Sequence, residues 1–71
     1  MDNLIRELRN ERGMTQHELA NRISVSSRTV ISLEKGQYNP SVILAHKIAL
    51  VFNRPIEDIF LFSEEEENLE P

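Results

Sequence analysis

Apolar residues recur along this chain at three- and four-residue spacing and do not alternate, which is the period of amphipathic helices. Leu4, Ile5 and Leu8 line a first helix that stops at Gly13, a residue suited to a left-handed cap. Thr15 followed by Glu18 makes a capping box and opens a second helix, with Leu19, Ala20 and Ile23 on its inner face. Ser24-Val25-Ser26 breaks the pattern, and the Ser26 hydroxyl can accept from the amides of a third helix. Val30 and Leu33 are the buried positions of that helix, and Gly36 ends it. Gln37 to Pro40 reads as a loop. Ser41 caps a fourth helix running to about Phe52, closed by Asn53. Pro55 suits the first turn of a short fifth helix through Phe60, although Arg54 is a poor cap for it. The pattern predicts an all-α fold, a compact five-helix domain over residues 1–62 followed by a tail over 63–71.

Length and composition narrow the picture. The chain has 71 residues, 39% apolar and 28% charged, the balance of one soluble globular domain. So short a chain buries only about 60% of the surface it exposes when unfolded, which makes its core marginal. It has no cysteine, so neither a disulfide nor a thiolate metal site can reinforce it. Self-association is the expected reinforcement. No apolar run approaches the about 20 residues of a membrane span. Met1-Asp2-Asn3 does not lead into the apolar core of a signal peptide. The expected location is cytoplasmic, with no membrane partner.

The net charge of −4 needs splitting. Through Phe62 there are eight Lys/Arg and seven Asp/Glu, a balance of +1. The other five acids are Glu64, Glu65, Glu66, Glu67 and Glu70, so the acidity belongs to the tail. Such a run is usually solvated and mobile. Its sharper reading is an electrostatic mimic of nucleic acid, or a shield that keeps non-specific DNA binding weak.

Catalytic chemistry finds no support. His17 and His46 fall in different helices, and neither has an acid at metal-ligand spacing. His17-Glu18 lacks the histidine that a zinc-protease motif places three residues on. There is no glycine-rich phosphate loop. Both histidines read as surface residues, and no enzyme activity, cofactor, metal or small-molecule ligand is expected.

The informative signal is geometric. Gln16, Ala20, Ser24, Val25, Val30 and Leu33 fall at the spacing of a helix-turn-helix unit. Ala20 is small where two helices cross, and Val30 and Leu33 pin the second helix onto the first. Ser27, Arg28, Ile31 and Ser32 are left facing outward, which suits a helix that reads the major groove. A small helical bundle with a solvated surface shares this periodicity.

A continuous set of motifs goes further. Arg6-x-x-Arg9-x-x-Arg12-Gly13 is followed by Thr15-Gln16-x-x-Leu19-Ala20 and Val25-Ser26. Then come Glu34-Lys35-Gly36-x-Tyr38-Asn39-Pro40-Ser41, Ala45-x-x-Ile48-Ala49 and Glu57-Asp58-Ile59-Phe60. From residue 4 to about 62 the chain resembles the phage-repressor and Cro type of helix-turn-helix regulators, closest to their short single-domain bacterial members. The resemblance implies a five-helix DNA-binding domain, dimeric, that acts as a transcriptional regulator on a two-fold symmetric operator. It implies that Gln16 touches a backbone phosphate and that Ser27, Arg28 and Ser32 meet base edges. Thr29 would contact phosphate or base, with its neighbour Ser26 counted in the same surface. Lys35, Tyr38 and Asn39 would clamp the DNA backbone, and the amides that follow Ser41 could face a phosphate. It also implies an internal ion pair between Arg9 and Glu34.

Three positions depart from the pattern. Many relatives carry Arg-Gln where this chain has Ser27-Arg28, so base preference cannot be copied. Ser24 stands where glycine is usual and must bear backbone strain if the turn is left-handed. Ile31 and Leu50 stand where polar residues are common; Ile31 either packs on a thymine methyl or simply supports its helix.

The fourth helix suggests the dimer surface. Ala45, Ile48, Ala49 and Phe52 share its core face. At about 100° per residue, Ile43 and Leu50 point nearly the opposite way, with Leu44 and Val51 on the shoulder. Leu61 and Phe62 could extend this stripe, which either joins two copies or is covered by the chain's own C-terminal segment. The function expected is a dimeric repressor reading a palindromic operator. The alternative is a protein-interaction module, such as an antitoxin, that acts through the acidic tail.

Overall fold

The computed structural model describes residues 1–37 and 39–63. Tyr38, expected in the clamping loop, and residues 64–71, most of the expected tail, lie outside the described residues. The chain runs β1 (Asp2–Asn3), α1 (Ile5–Glu11), α2 (Gln16–Ile23), α3 (Ser27–Glu34), α4 (Val42–Phe52), a 3₁₀ turn (Ile56–Asp58) and β2 (Phe60–Leu61).

Side-chain oxygens set where the helices begin. The hydroxyls of Thr15, Ser26 and Ser41 accept from the amides of Glu18, Thr29 and Leu44 at 3.0, 3.1 and 3.1 Å. Each such cap contributes about 1 kcal/mol. Thr15 and Glu18 form the full capping box. Before α1 the cap position is Leu4, which has no side-chain acceptor, and Asn3 Oδ1 accepts from the Ile5 amide at 3.1 Å instead.

All four helices end alike. Gly13, Ser24, Gly36 and Asn53 take φ of 62, 61, 71 and 53°. The amide after each reaches back five residues: Met14 to Arg9 O, Val25 to Ala20 O, Gln37 to Ser32 O and Arg54 to Ala49 O, at 2.9 to 3.1 Å. This left-handed closure satisfies carbonyls that a helix end leaves open. The helices themselves stop one or two residues before these closures, α1 at Glu11 and α3 at Glu34, so Gly13 and Gly36 lie just beyond them.

The expected fifth helix is corrected. After Pro55 there is one 3₁₀ turn, with the amides of Asp58 and Ile59 reaching back three residues to Pro55 O and Ile56 O. Ile59 and Phe60 are buried, which pulls the chain inward and extended before a second turn can form. Phe60–Leu61 then pairs antiparallel with Asp2–Asn3, in register Asp2 to Leu61 and Asn3 to Phe60. Among the described residues the fold is therefore mostly helical, with four α-helices and a two-stranded ladder of β1 with β2, rather than five helices alone.

One core serves every element. Ile5 and Leu8 of α1, Leu19, Ala20 and Ile23 of α2, Val30 and Leu33 of α3, and Ala45, Ile48 and Phe52 of α4 are all buried. Met14, Ile59 and Phe60 complete it. Asn3 ties the β1–β2 ladder to this core, because its Nδ2 donates to Leu33 O at 2.7 Å, at the C-terminal end of α3. Arg12 caps α4 from outside, donating to Val51 O at 2.9 Å and Phe52 O at 2.7 Å, with its guanidinium 5.4 Å from the Phe52 ring centroid. The cation meets the negative end of a helix dipole there. No helix among the described residues is long and apolar enough to cross a membrane.

Candidate nucleic-acid interface

The α2–turn–α3 unit is built around Ala20, only 1% exposed, which lets α3 approach α2 closely. Ser24 makes the left-handed turn between the two helices at a cost of about 1–2 kcal/mol, since its Cβ crowds the carbonyl there. Val30 and Leu33 face the core, so helical geometry turns Arg28, Ile31 and Lys35 outward on one stripe, and all three are exposed. Ser27 and Ser32 flank the stripe, half-buried. Thr29 turns back instead, its hydroxyl 3.1 Å from Ser26 Oγ, so these two side chains brace the start of α3. Asn39 is exposed in the loop beyond.

Behind α3, one carboxylate joins three helices. Glu34 accepts from Arg9 Nε at 2.7 Å and Nη2 at 3.3 Å, and from Gln16 Nε2 at 3.1 Å. Arg9 Nη1 also donates to Met14 O at 2.8 Å. The Arg9 and Glu34 side chains keep only 11% and 5% of their exposure. Structure thus brings Arg9 and Glu34 together, and it adds Gln16 to the pair. Only one of the two Gln16 amide hydrogens is committed to Glu34, which leaves the other for an outside acceptor.

Beside this cluster, Arg6, Arg9, Gln16, Ile31, Glu34 and Lys35 line an open cavity of about 200 Å³. Glu34 is balanced by Arg9, so Arg6 and Lys35 leave the lining of this cavity positive, and Arg28 adds an exposed cation on the α3 stripe. None of the three makes a salt bridge among the described residues. Arg6 opens the Arg6-x-x-Arg9-x-x-Arg12 motif, whose three-residue spacing sets it beside Arg9 along α1, but the motif by itself assigns it no role. His17 is exposed, as a surface histidine should be, but both ring nitrogens face polar side chains: Nδ1 lies 3.4 Å from Ser27 Oγ and Nε2 3.4 Å from Asn21 Nδ2.

The stripe on α4 has a narrower exposed part than its sequence suggests. Ile43 and Leu50 are 69% and 67% exposed, whereas Leu44 and Val51 are half-buried against the core. Val42, at the first turn, is the most exposed apolar residue of the helix. Leu61 sits in β2, and Phe62 lines an apolar cavity with Val42, Ile56 and Phe60, a cavity that Leu50 does not line.

A helix-turn-helix family model matches residues 5–59, which span all four α-helices and the 3₁₀ turn. The chain belongs to the helix-turn-helix family of transcriptional regulators. An uncharacterised helix-turn-helix regulator of Archaeoglobus fulgidus is 58% identical to it over 62 residues, covering 87% of this chain and 89% of that relative. The phage CTXphi transcriptional repressor RstR of Vibrio cholerae is 38% identical over 66 residues, covering 93% of this chain and 58% of the relative. Among solved structures, the restriction-modification controller protein C.AhdI of Aeromonas hydrophila superposes with a TM-score of 0.71 at 30% identity, over 79% of this chain and 85% of that one. PlcR of Bacillus thuringiensis, in complex with the peptide PapR7 and DNA, superposes with a TM-score of 0.70 at 29% identity, over 89% of this chain but 23% of PlcR. In such helix-turn-helix regulators the second helix of the motif enters the major groove, and here that helix is α3.

Proposed function

We propose that this chain is a dimeric transcriptional repressor that lays α3 into the major groove at each half of a two-fold symmetric operator. The observation that carries the reading is the outward stripe of α3. It presents Arg28, Ile31 and Lys35 with flanking serines and no acid, since Glu34 turns inward to Arg9. In this arrangement Arg28 grips guanine O6 and N7, Ser27 and Ser32 meet neighbouring base edges, and Ile31 packs on a thymine methyl. The free Gln16 amide hydrogen, Lys35 and Asn39 hold backbone phosphates, with Ser26 and Thr29 at the start of α3 and Tyr38 in the loop assigned to the same duty. Dimerisation through the α4 stripe, with Leu61 and Phe62 at its margin, sets two recognition helices about 34 Å apart. The repressor role is supported by the likeness to RstR, and DNA as partner by the likeness to PlcR solved with DNA.

Selection of duplexes from a random pool by the purified chain, read by sequencing, tests this function. An inverted repeat with centres one helical turn apart is the outcome expected. Enrichment of nothing, or of a site with no two-fold repeat, overturns it.

A further inference from the structure

The contact between His17 and Ser27 joins α2 to the first residue of α3, at the edge of the proposed reading face. Asn21, one turn further along α2, offers its amide nitrogen to His17 Nε2 at 3.4 Å. An amide nitrogen only donates, so Nε2 must accept. That assigns the proton of the neutral ring to Nδ1, which then donates to Ser27 Oγ at 3.4 Å. The Ser27 hydroxyl makes no other hydrogen bond among the described residues. With a ring N–H already filling one of its lone pairs, its own hydrogen is directed away from α2.

We propose that the His17–Asn21 pair makes Ser27 a one-way reader, a hydroxyl that donates to purine N7, guanine O6 or thymine O4 and discriminates against the cytosine amino group at the base it meets. This inference rests on the DNA reading above. A lone serine hydroxyl reads donors and acceptors alike. Here the direction is supplied from α2, so a residue outside the recognition helix sets part of the base preference.

A series at His17 tests the point, because the side chain is exposed and its replacement leaves the core intact. The base read by Ser27 is first located as the operator position whose preference disappears in Ser27→Ala. At that position the unaltered chain favours an acceptor-bearing base over cytosine by about 3- to 10-fold, the worth of one hydrogen bond. His17→Phe, with no polar atom, brings that ratio close to one. His17→Lys, a pure donor, retains it. His17→Glu, a pure acceptor, draws the hydroxyl hydrogen back and inverts the ratio toward cytosine, while weakening all sequences by repulsion from phosphate. Thermal melting of each variant reports folding separately, and a merely structural role would not produce opposite ratios for Lys and Glu. The inference is overturned if Ser27→Ala changes no base preference, or if the ratio is the same in all three His17 variants. Failure of the unaltered chain to select any DNA would overturn the functional reading and this inference with it.

Discussion

Glu34 is the residue on which the recognition unit depends most. Its carboxylate is nearly buried and faces Arg9, also nearly buried, so neither charge can return to water without moving a helix. Glu34→Ala would leave the Arg9 guanidinium without its counter-charge and release Gln16. The expected loss is about 3–5 kcal/mol, the range for breaking a buried pair by removing one partner. Urea unfolding measures it, and a midpoint equal to the parent's would show that the pair contributes nothing. Arg28 is the opposite case, exposed and free of salt bridges among the described residues. Arg28→Ala should leave the unfolding midpoint alone and cost about 1–3 kcal/mol of binding on the best operator, relaxing preference at one base pair. Competition titrations on operators altered one position at a time would report this, and an unchanged preference profile would remove Arg28 from base readout.

At the scale of elements, the repeated helix ending is the organising feature. Four times the chain takes one left-handed step and sends the next amide back to an open carbonyl. Gly13 and Gly36 differ in what surrounds them. A Cβ at Gly13 would meet nothing within 4 Å, whereas one at Gly36 would lie 2.8 Å from Met1 O. Gly13→Ala should therefore cost only the backbone term, about 1–2 kcal/mol. Gly36→Ala should cost more, because the Met1 backbone must also shift. Thermal melts of the two variants compare them directly, and equal losses would mean that Met1 yields freely. The short β1–β2 ladder and the 3₁₀ turn belong to the same scale: a segment with two buried residues after Pro55 is better used closing the core beside the N-terminal strand than as an isolated helical turn.

For the whole molecule, size and charge govern what surrounds the domain. Ile43 and Leu50 leave an apolar strip in water on a domain whose core is small, and their burial against a second copy would supply stability as well as affinity. Sedimentation equilibrium at micromolar concentration should give a dimer, and Ile43→Glu with Leu50→Glu should give a folded monomer with weakened operator binding. A dimer unaffected by both changes would place the interface elsewhere. Net charge adds a second effect. Removing residues 63–71 takes five acids away and changes the formal charge from −4 to +1. Truncation should tighten DNA binding, most at low salt, where phosphate repulsion is least screened. Titrations at two salt concentrations would detect it; unchanged affinity at low salt would mean the acids act on something other than DNA.

Local information in the sequence is enough for the α-helices, the N-terminal caps of α2, α3 and α4, and the buried faces of the helices, but not for the Asn3 cap of α1 or for Met14, Ile59 and Phe60 in the core. A capping box, a serine before a helix or a residue tolerant of positive φ acts within one helical turn, so Thr15 with Glu18, Ser26, Ser41, Ser24 and Asn53 announce their roles in the sequence. The helix-turn-helix spacing was legible for the same reason, since burial of Ala20, Val30 and Leu33 follows from period and residue size. Arg9 with Glu34 was reachable only through family resemblance, because nothing local links residues 25 apart. Tertiary structure alone decided the rest. Two-residue strands carry no periodicity, so the pairing of Asp2–Asn3 with Phe60–Leu61 has no sequence signal, and by local pattern the segment after Pro55 reads as a helix. Arg12 on the end of α4, Gln16 on Glu34, Arg6 in the cavity wall and His17 on Ser27 are all contacts between elements. Their geometry exists only once the core has fixed how the helices lie against one another, and hydrophobic patterning specifies which face is buried but not which polar side chains meet around it.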